Sequence, residues 1–229
     1  APGGWAVSAT VSVDEGSFDG RTIRALRGRA TLTTEGVRIS ELTVAVDGGV
    51  QIAVAELEVE QRAGEWLPQR GQASVSIADA RYWLARFGVP VAWLPTQPVA
   101  LAAQVRLAAG RITVEEVRVA TAGLVVTGSG LGSPQEIERS EVVVQSDMGE
   151  LARNLPILNG VTGALTITAR YHGKMPTSLN EALAGVAQIA ISGTKLAWNT
   201  VRVPQLTLAA YTDCGALVFS QVEVQVMER

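Results

Sequence analysis

Two neighbouring stretches of the chain alternate apolar and polar residues, and both break that alternation in the middle. They form the segment GVRISELTVAVDGGVQIAVAELEVE, Gly36 to Glu60, which turns at Asp47-Gly48-Gly49. Because side chains of a strand point alternately to its two faces, one extra residue moves every later side chain to the other face. A β-bulge restores the original face. The pattern therefore predicts a hairpin of two half-buried strands with a bulge at Ser40-Glu41.

The interrupted pattern recurs around Glu115-Glu116 and around Pro204-Gln205. The second strand of the hairpin recurs too, at an offset of 165 positions: Ile52, Val54, Leu57 and Val59 match Leu217, Phe219, Val222 and Val224. A shared position of the break favours a repeated hairpin, and chance likeness between two amphipathic strands is the alternative.

About a dozen segments read as strands, and short helices are predicted over residues 78–87, 149–154 and 178–184. We therefore predict a mainly β protein: an elongated, twisted, mostly antiparallel sheet, forming a groove or a half-open barrel from repeated bulged hairpins, with two or three short helices. One elongated domain covers residues 1–229, with internal repeat units over 20–90, 96–155 and 160–229. Alternation alone leaves an open apolar face and a closed sandwich core equally compatible with the sequence.

Several functional classes are excluded by charge and by residue counts. The net charge is −3, and the basic residues are dispersed along the strands, which argues against a nucleic-acid partner. Cys214 is the single cysteine and His172 the single histidine, so a Ser-His-Asp system or a Cys/His metal cluster lacks its components. We predict a protein that is not an enzyme, with no catalytic, cofactor-binding or metal-binding residues.

Two motifs that resemble functional sites have simpler interpretations. The segment GSGLGS, Gly128 to Ser133, is glycine-rich like a phosphate-binding loop, but no apolar helix follows it, so a turn is predicted. Glu56, Glu58 and Glu60 share one parity of a strand and alternate with apolar residues. They are predicted to form a solvated face rather than a set of catalytic carboxylates.

Three longer segments carry a family resemblance. They are LRGRATLTTEGVRISELTVAVDGG, then ASVSIADARYWLARFG followed by VALAAQVRLAAGRITVEEVRVATAGLVVTGSG, and TSLNEALAGVAQIAISGTKLAW. In these segments and their order, over most of residues 20–226, the chain resembles the AsmA-like proteins of Gram-negative bacteria, relatives of TamB and other repeating β-groove proteins.

The resemblance implies a non-enzymatic envelope protein. Such a protein is periplasmic, tethered to the inner membrane through a segment absent from this chain. It binds or conveys phospholipid or another acyl-chain lipid along an apolar β groove and supports outer-membrane maintenance. The alternative is a structural protein-interaction module of a secretion or envelope assembly, with a closed β core and with envelope or secretion proteins as partners.

Two sets of residues are candidates for the functional surface. The lipid-groove candidates are the apolar strand residues Val44, Ile52, Val105, Val119, Ile167 and Leu208. The candidates for a lid or a membrane-interface element are the clustered aromatic residues Tyr82, Trp83, Phe87 and Trp93. For the aromatic set, a core plug at the end of a sheet is the competing interpretation.

Overall fold

The computed structural model describes residues 5–18, 21–47, 49–62, 65–86, 90, 94–133, 135–174, 186–213 and 216–227. Strands dominate, and 14 of them form one antiparallel sheet, which agrees with the predicted mainly β class. Strands that follow one another in the chain are neighbours in the sheet, except that the second strand lies off this path and pairs with the third, which also pairs with the first. The sheet is open, because its first and last strands do not pair with each other.

The element bounds follow the chain. The strands are β1 (Ala6–Val13), β2 (Gly16–Phe18), β3 (Arg21–Thr33), β4 (Gly36–Val46), β5 (Val50–Arg62), β6 (Glu65–Ile77), β7 (Ala100–Ala108), β8 (Arg111–Thr121), β9 (Leu124–Gly132), β10 (Glu136–Asp147), β11 (Val161–Lys174), β12 (Val186–Trp198), β13 (Val201–Asp213) and β14 (Ala216–Met227). The helices are α1 (Arg81–Arg86) and α2 (Met148–Asn154), and a 3₁₀ turn covers Pro156–Leu158.

The predicted bulge at Ser40-Glu41 is confirmed. Glu41 has φ = 56°, and the pairing of β3 with β4 changes register between Arg27 and Arg29. β4 and β5 stay in register with each other, whereas β5 shifts against β6 at Ala55, which has no partner there. One extra residue thus enters each of two adjacent strands at the same level, which keeps their apolar side chains on one face.

A similar irregularity lies on β13, where the sequence predicts a break in the alternation. The pairing of β13 with β14 changes register between Arg202 and Gln205, around Pro204. On the neighbouring β12, Lys195 has φ = 52°, and β11 is shifted against β12 at Gly163. At the third predicted break in the alternation, Glu115 and Glu116 on β8 are consecutive exposed residues.

The prediction of a turn at GSGLGS is wrong. Gly128, Gly130 and Gly132 lie on β9, and the turn follows at Ser133. A Cβ atom at Gly132 would lie 2.3 Å from the carbonyl oxygen of Glu136, so a neighbouring backbone, not a ligand, accounts for that glycine.

The predicted helices differ in outcome. α1 lies within the predicted range 78–87, and α2 begins one residue before the predicted range 149–154. The predicted helix over 178–184 falls outside the described residues. No helix in the described part of the chain is long and apolar enough to cross a membrane.

The chain divides into two compact units, one of residues 1–78 with 101–116 and the other of residues 79–100 with 117–229. The predicted repeat units stay a prediction. Few apolar side chains are buried: in the described ranges these are Val50, Ala80, Val99, Leu151 and Ala210. The accessible surface is 14866 Å². A compact protein of this mass exposes about 10,000 Å², so much of the sheet has no second layer over it.

Candidate functional site

The first unit has one apolar face, and three predicted groove residues lie on it. Val44 pairs with Ile52, Ile52 pairs with Val75, and Val75 pairs with Ala103, two positions from Val105. Directly paired residues of an antiparallel ladder point to the same side, and so do residues two apart on one strand. Ile52 is 38% exposed, and Val44 and Val105 are half-buried.

The opposite face of the first unit is polar. Arg38 bonds Glu58 at 2.5 Å, and Arg70 bonds Glu56 at 3.2 Å, with the arginine side chains mostly exposed. Glu60 lies two positions beyond Glu58 on the same strand and shares its face. These glutamates thus lie together on the polar face, where they are half-buried. Exposed ion pairs of this kind contribute little stability, about 0–1 kcal/mol each.

The second unit has a comparable apolar face. A single row of paired residues crosses six strands: Val126, Val144, Ile167, Ile191, Leu208 and Val222. The predicted groove residues Ile167 and Leu208 therefore share a face, and both are half-buried. Val119 is half-buried on β8.

The opposite face of the second unit is mostly polar. The row Gln145, Thr166, Ser192, Thr207 and Glu223 runs beside the apolar row on the other side of the sheet. A shallow concavity of about 440 Å³ lies on this side, lined by Arg170, Gln188 and Tyr211 among others. A smaller one of about 230 Å³ lies on the polar side of the first unit, around Thr43 and Ala53.

A helical cap covers one end of the strands in the second unit; we define it as residues 79–86, 94–99 and 147–155. Asp79 begins the cap. Its carboxylate accepts hydrogen bonds from the Arg81 side chain at 2.6 to 3.1 Å and from the Arg81 backbone at 3.2 Å. These bonds from Arg81, with one from the Val99 backbone, lower the pKa of Asp79 to about 2, against a smaller opposing effect of burial.

Asn154 joins the separate segments of the cap and is only 1% exposed. Its side-chain oxygen accepts from the Thr96 hydroxyl at 2.9 Å and from the Gln97 backbone at 2.8 Å. Its amide nitrogen donates to the Thr121 hydroxyl at 3.0 Å and to the Ala122 carbonyl at 3.4 Å. Both polar ends of this buried amide are satisfied, which is the condition for a stable buried polar group.

The sequence interpretation missed Asn154 because its partners lie far along the chain, at residues 96–97 and 121–122. A local signal was available for the start of α2: Asp147 and Glu150 have the spacing of a helix cap. Asp147 does accept a hydrogen bond from the Glu150 backbone at 3.0 Å. That signal locates the helix but not the residue that anchors it.

The predicted lid aromatics are described in part. Tyr82 and Trp83 lie on α1 with ring centroids 5.6 Å apart in an edge-to-face arrangement. Tyr82 is 54% exposed, so this residue is not part of a buried plug. Phe87 and Trp93 lie outside the described residues.

The described residues offer no metal centre. No group of three or more His, Cys, Asp or Glu side chains that could hold a metal ion occurs in the described ranges. His172 is exposed on β11, and Cys214 is not among the described residues.

Comparison with known proteins adds no family. No protein-family model matches the chain, and neither a curated protein nor a solved structure matches it significantly. The likeness to AsmA-like proteins thus rests on the sequence pattern alone.

Proposed function

We propose that the chain is a non-enzymatic, lipid-binding protein and that its apolar faces bind acyl chains. The observation that supports this is the half-exposed apolar row, which continues from strand to strand in each unit without a covering layer among the described residues. Soluble monomers rarely expose contiguous apolar patches of more than a few hundred Å². Such a surface needs an apolar occupant, and an acyl chain is the simplest one.

The chemistry of the faces bears on lipid selectivity. Each methylene removed from water contributes about 0.8 kcal/mol, so a two-chain lipid binds firmly through its chains alone. Arg38, Arg70 and Arg170 lie on the polar faces and pair with Glu58, Glu56 and Glu141. We therefore expect weak selection among lipid head groups.

The wider proposal follows the resemblance stated above. In it, the chain is an AsmA-like envelope protein of the periplasm, tethered to the inner membrane, with repeated bulged hairpins that form an apolar groove. One observation supports the repeat: Ser220 lies 165 positions after Ala55, and each is the residue left without a partner at a register shift of its strand. This is the offset that the apolar pattern predicts.

Photo-cross-linking with a fatty-acyl probe tests the lipid proposal. The matched variants are Val105→Glu on the apolar face and Gln104→Glu next to it on the polar face. Ile167→Glu and Thr166→Glu form the same pair in the second unit. We expect the apolar-face variants to lose most of the labelling while retaining the circular dichroism spectrum of the sheet. The polar-face variants keep their labelling, because the added charge lies away from the chains.

Two results would contradict the lipid proposal. One is labelling that is equal in both members of each pair. The other is labelling confined to peptides of the polar faces. Either result would favour the alternative, a structural protein-interaction module of a secretion or envelope assembly.

The non-enzymatic part of the proposal has its own test in His172→Ala. The side chain is exposed, and no nucleophile or set of metal ligands surrounds it in the sequence. We expect acyl labelling and thermal stability equal to those of the unaltered chain. A stably folded variant with lost function would indicate a chemical role for this histidine.

A further inference from the structure

The last strand of the sheet leaves one side unpaired in the described part of the chain. β14 pairs with β13 alone, and its register is regular from Gln221 to Gln225. In an antiparallel strand, alternate residues direct their N–H and C=O groups to opposite sides. About half of these groups on β14 therefore point away from β13 and are free to bond another strand. We call Gln221–Val226 the β14 edge.

The first strand forms the opposite end of the sheet. All eight residues of β1 pair with β3 in an unbroken register. On its polar side, Ser8 bonds Thr31 through their hydroxyl groups at 3.1 Å. Its other side has no partner strand among the described residues. β1 is therefore a second regular edge.

Neither edge carries the features that usually prevent an edge strand from pairing with another chain. Natural edge strands are protected by lysine, proline or inward-pointing charges. β1 has no charged residue and no proline, and Glu223 is the one charged residue of the β14 edge. The apolar side chains are also unusually accessible, with Val7 58% exposed and Val222 60% exposed.

The two edges complement each other in pattern and in charge. Each has valines on the apolar face and small or amide side chains on the polar face. Beside β1, the polar face of β3 carries Arg27 and Arg29, which pair in register with Ser12 and Thr10. A contact between two β14 edges would bring two copies of Glu223 together, whereas a contact between β14 and β1 brings Glu223 towards these arginines.

Twelve antiparallel steps separate β1 from β14, so the two strands run in the same direction. We propose that the β14 edge of one copy pairs in parallel with β1 of a second copy, which continues the sheet from chain to chain. The backbone groups supply the bonding, and the valines of both strands join one apolar face. The contact joins unlike surfaces, so each assembled pair still has a free β1 and a free β14. Association is therefore open-ended and rises with protein concentration.

Paired proline variants test the edge. Ser8 and Ala9 direct their N–H groups to opposite sides of β1, so one of Ser8→Pro and Ala9→Pro removes an outward N–H and the other breaks the bonding to β3. Sedimentation velocity over a concentration range measures association, and thermal melting identifies which variant is which. We expect the variant with an unchanged melting temperature to lose association.

Three outcomes of that experiment would overturn the proposal. The unaltered chain remains monomeric at every concentration, or the stable proline variant associates as strongly as the unaltered chain. The third is association that survives both prolines but is lost in Val44→Glu, because stacking of apolar faces would then join the copies.

Charge reversal and cross-linking test whether the β14 edge pairs with β1 rather than with another surface. Arg29→Glu is expected to weaken association by about fivefold, and adding Glu223→Arg in the same chain to restore it. In a Cys214→Ser background, separately purified Thr10→Cys and Glu223→Cys chains are expected to form a disulfide-linked heterodimer on mixing. Glu223→Cys mixed with Ser74→Cys, an interior polar-face position, is the control. Equal cross-linking in the control, or faster homodimers of Glu223→Cys, would refute the pairing of β14 with β1.

Discussion

The cap and the apolar faces differ in how far their side chains are buried and hydrogen-bonded. In the cap, Asn154 is buried and bonded at both ends of its amide, and Ala80, Val99 and Leu151 of the same cap are buried too. On the apolar faces, residues such as Val44 and Ile167 are only half-buried. Specific hydrogen bonds fix the cap, whereas a generic apolar surface characterises the faces.

This difference separates the region that specifies one arrangement from the region on which the proposed binding rests. A buried polar network specifies one arrangement, because each missing bond is costly. A surface of valine, leucine and isoleucine accepts many apolar occupants at similar cost. Mutations should therefore be sharply destabilising in the cap and should act on the faces mainly through burial.

The largest loss of stability is expected for Asn154→Ala. The substitution removes a buried amide and leaves the Thr121 hydroxyl and the backbone N–H of Gln97 without their side-chain partner. We expect a loss of about 3 kcal/mol in the free energy of unfolding, measured by urea denaturation. Arg153→Ala, an exposed neighbour on the same helix, is the control and should cost less than about 1 kcal/mol.

The hydrogen-exchange rate of the Gln97 backbone N–H provides a second test of this prediction. It should rise in Asn154→Ala before the sheet unfolds, because the cap opens locally. A variant with unchanged unfolding free energy and unchanged exchange would show that the network adds nothing to the stability of the cap.

A smaller effect is expected on the apolar face of the first unit. Leu42→Asp places a charge among half-buried apolar side chains beside the bulge, where Leu42 pairs with Val54. We expect a loss of about 2 kcal/mol, because the carboxylate loses part of its hydration. Thr43→Asp, on the polar face of the same strand, should cost less than about 0.5 kcal/mol. Equal melting midpoints for Leu42→Asp and the unaltered chain would contradict the assigned face.

The same contrast separates what the sequence could and could not predict. Alternation predicted the strands and the bulge at Ser40-Glu41, because both depend on residues that are near one another in the chain. It missed β9, because its glycines resemble a turn and the reason for Gly132 is a close approach of the Glu136 backbone. That approach is a property of strand pairing and is invisible before the sheet is assembled.

The candidate site divides in the same way. The sequence predicted that Val44, Ile52 and Val105 share an apolar face, since parity along each strand is a local property. It could not predict Asn154, whose partners Thr96 and Thr121 are 58 and 33 positions away. Nor could alternation indicate whether a second layer covers the face, because buried and open faces have the same periodicity.

The smallest effect on the free energy of unfolding is expected from Asp79 in the cap, and it depends on pH. Hydrogen bonds from Arg81 hold the folded pKa of Asp79 at about 2, below its ordinary value of 3.8. A lowered folded pKa stabilises the protein above the unfolded pKa, and this contribution is lost as the pH falls from about 4 to about 2. Both side chains are about one-third exposed, so solvent screening reduces the contribution to about 1 kcal/mol.

Asp79→Asn measures that contribution directly. The difference in unfolding free energy between the unaltered chain and Asp79→Asn should be largest above pH 4 and should shrink towards pH 2, because the unaltered carboxylate then takes up a proton. Asp213→Asn, at an exposed aspartate on β13, is the matched control for the loss of a surface carboxylate. A difference for Asp79→Asn that is constant from pH 6 to pH 2 would mean that the Arg81 pairing does not depend on the charge of Asp79. The contrast between a specifically bonded cap and a generic apolar face would then rest on Asn154 alone.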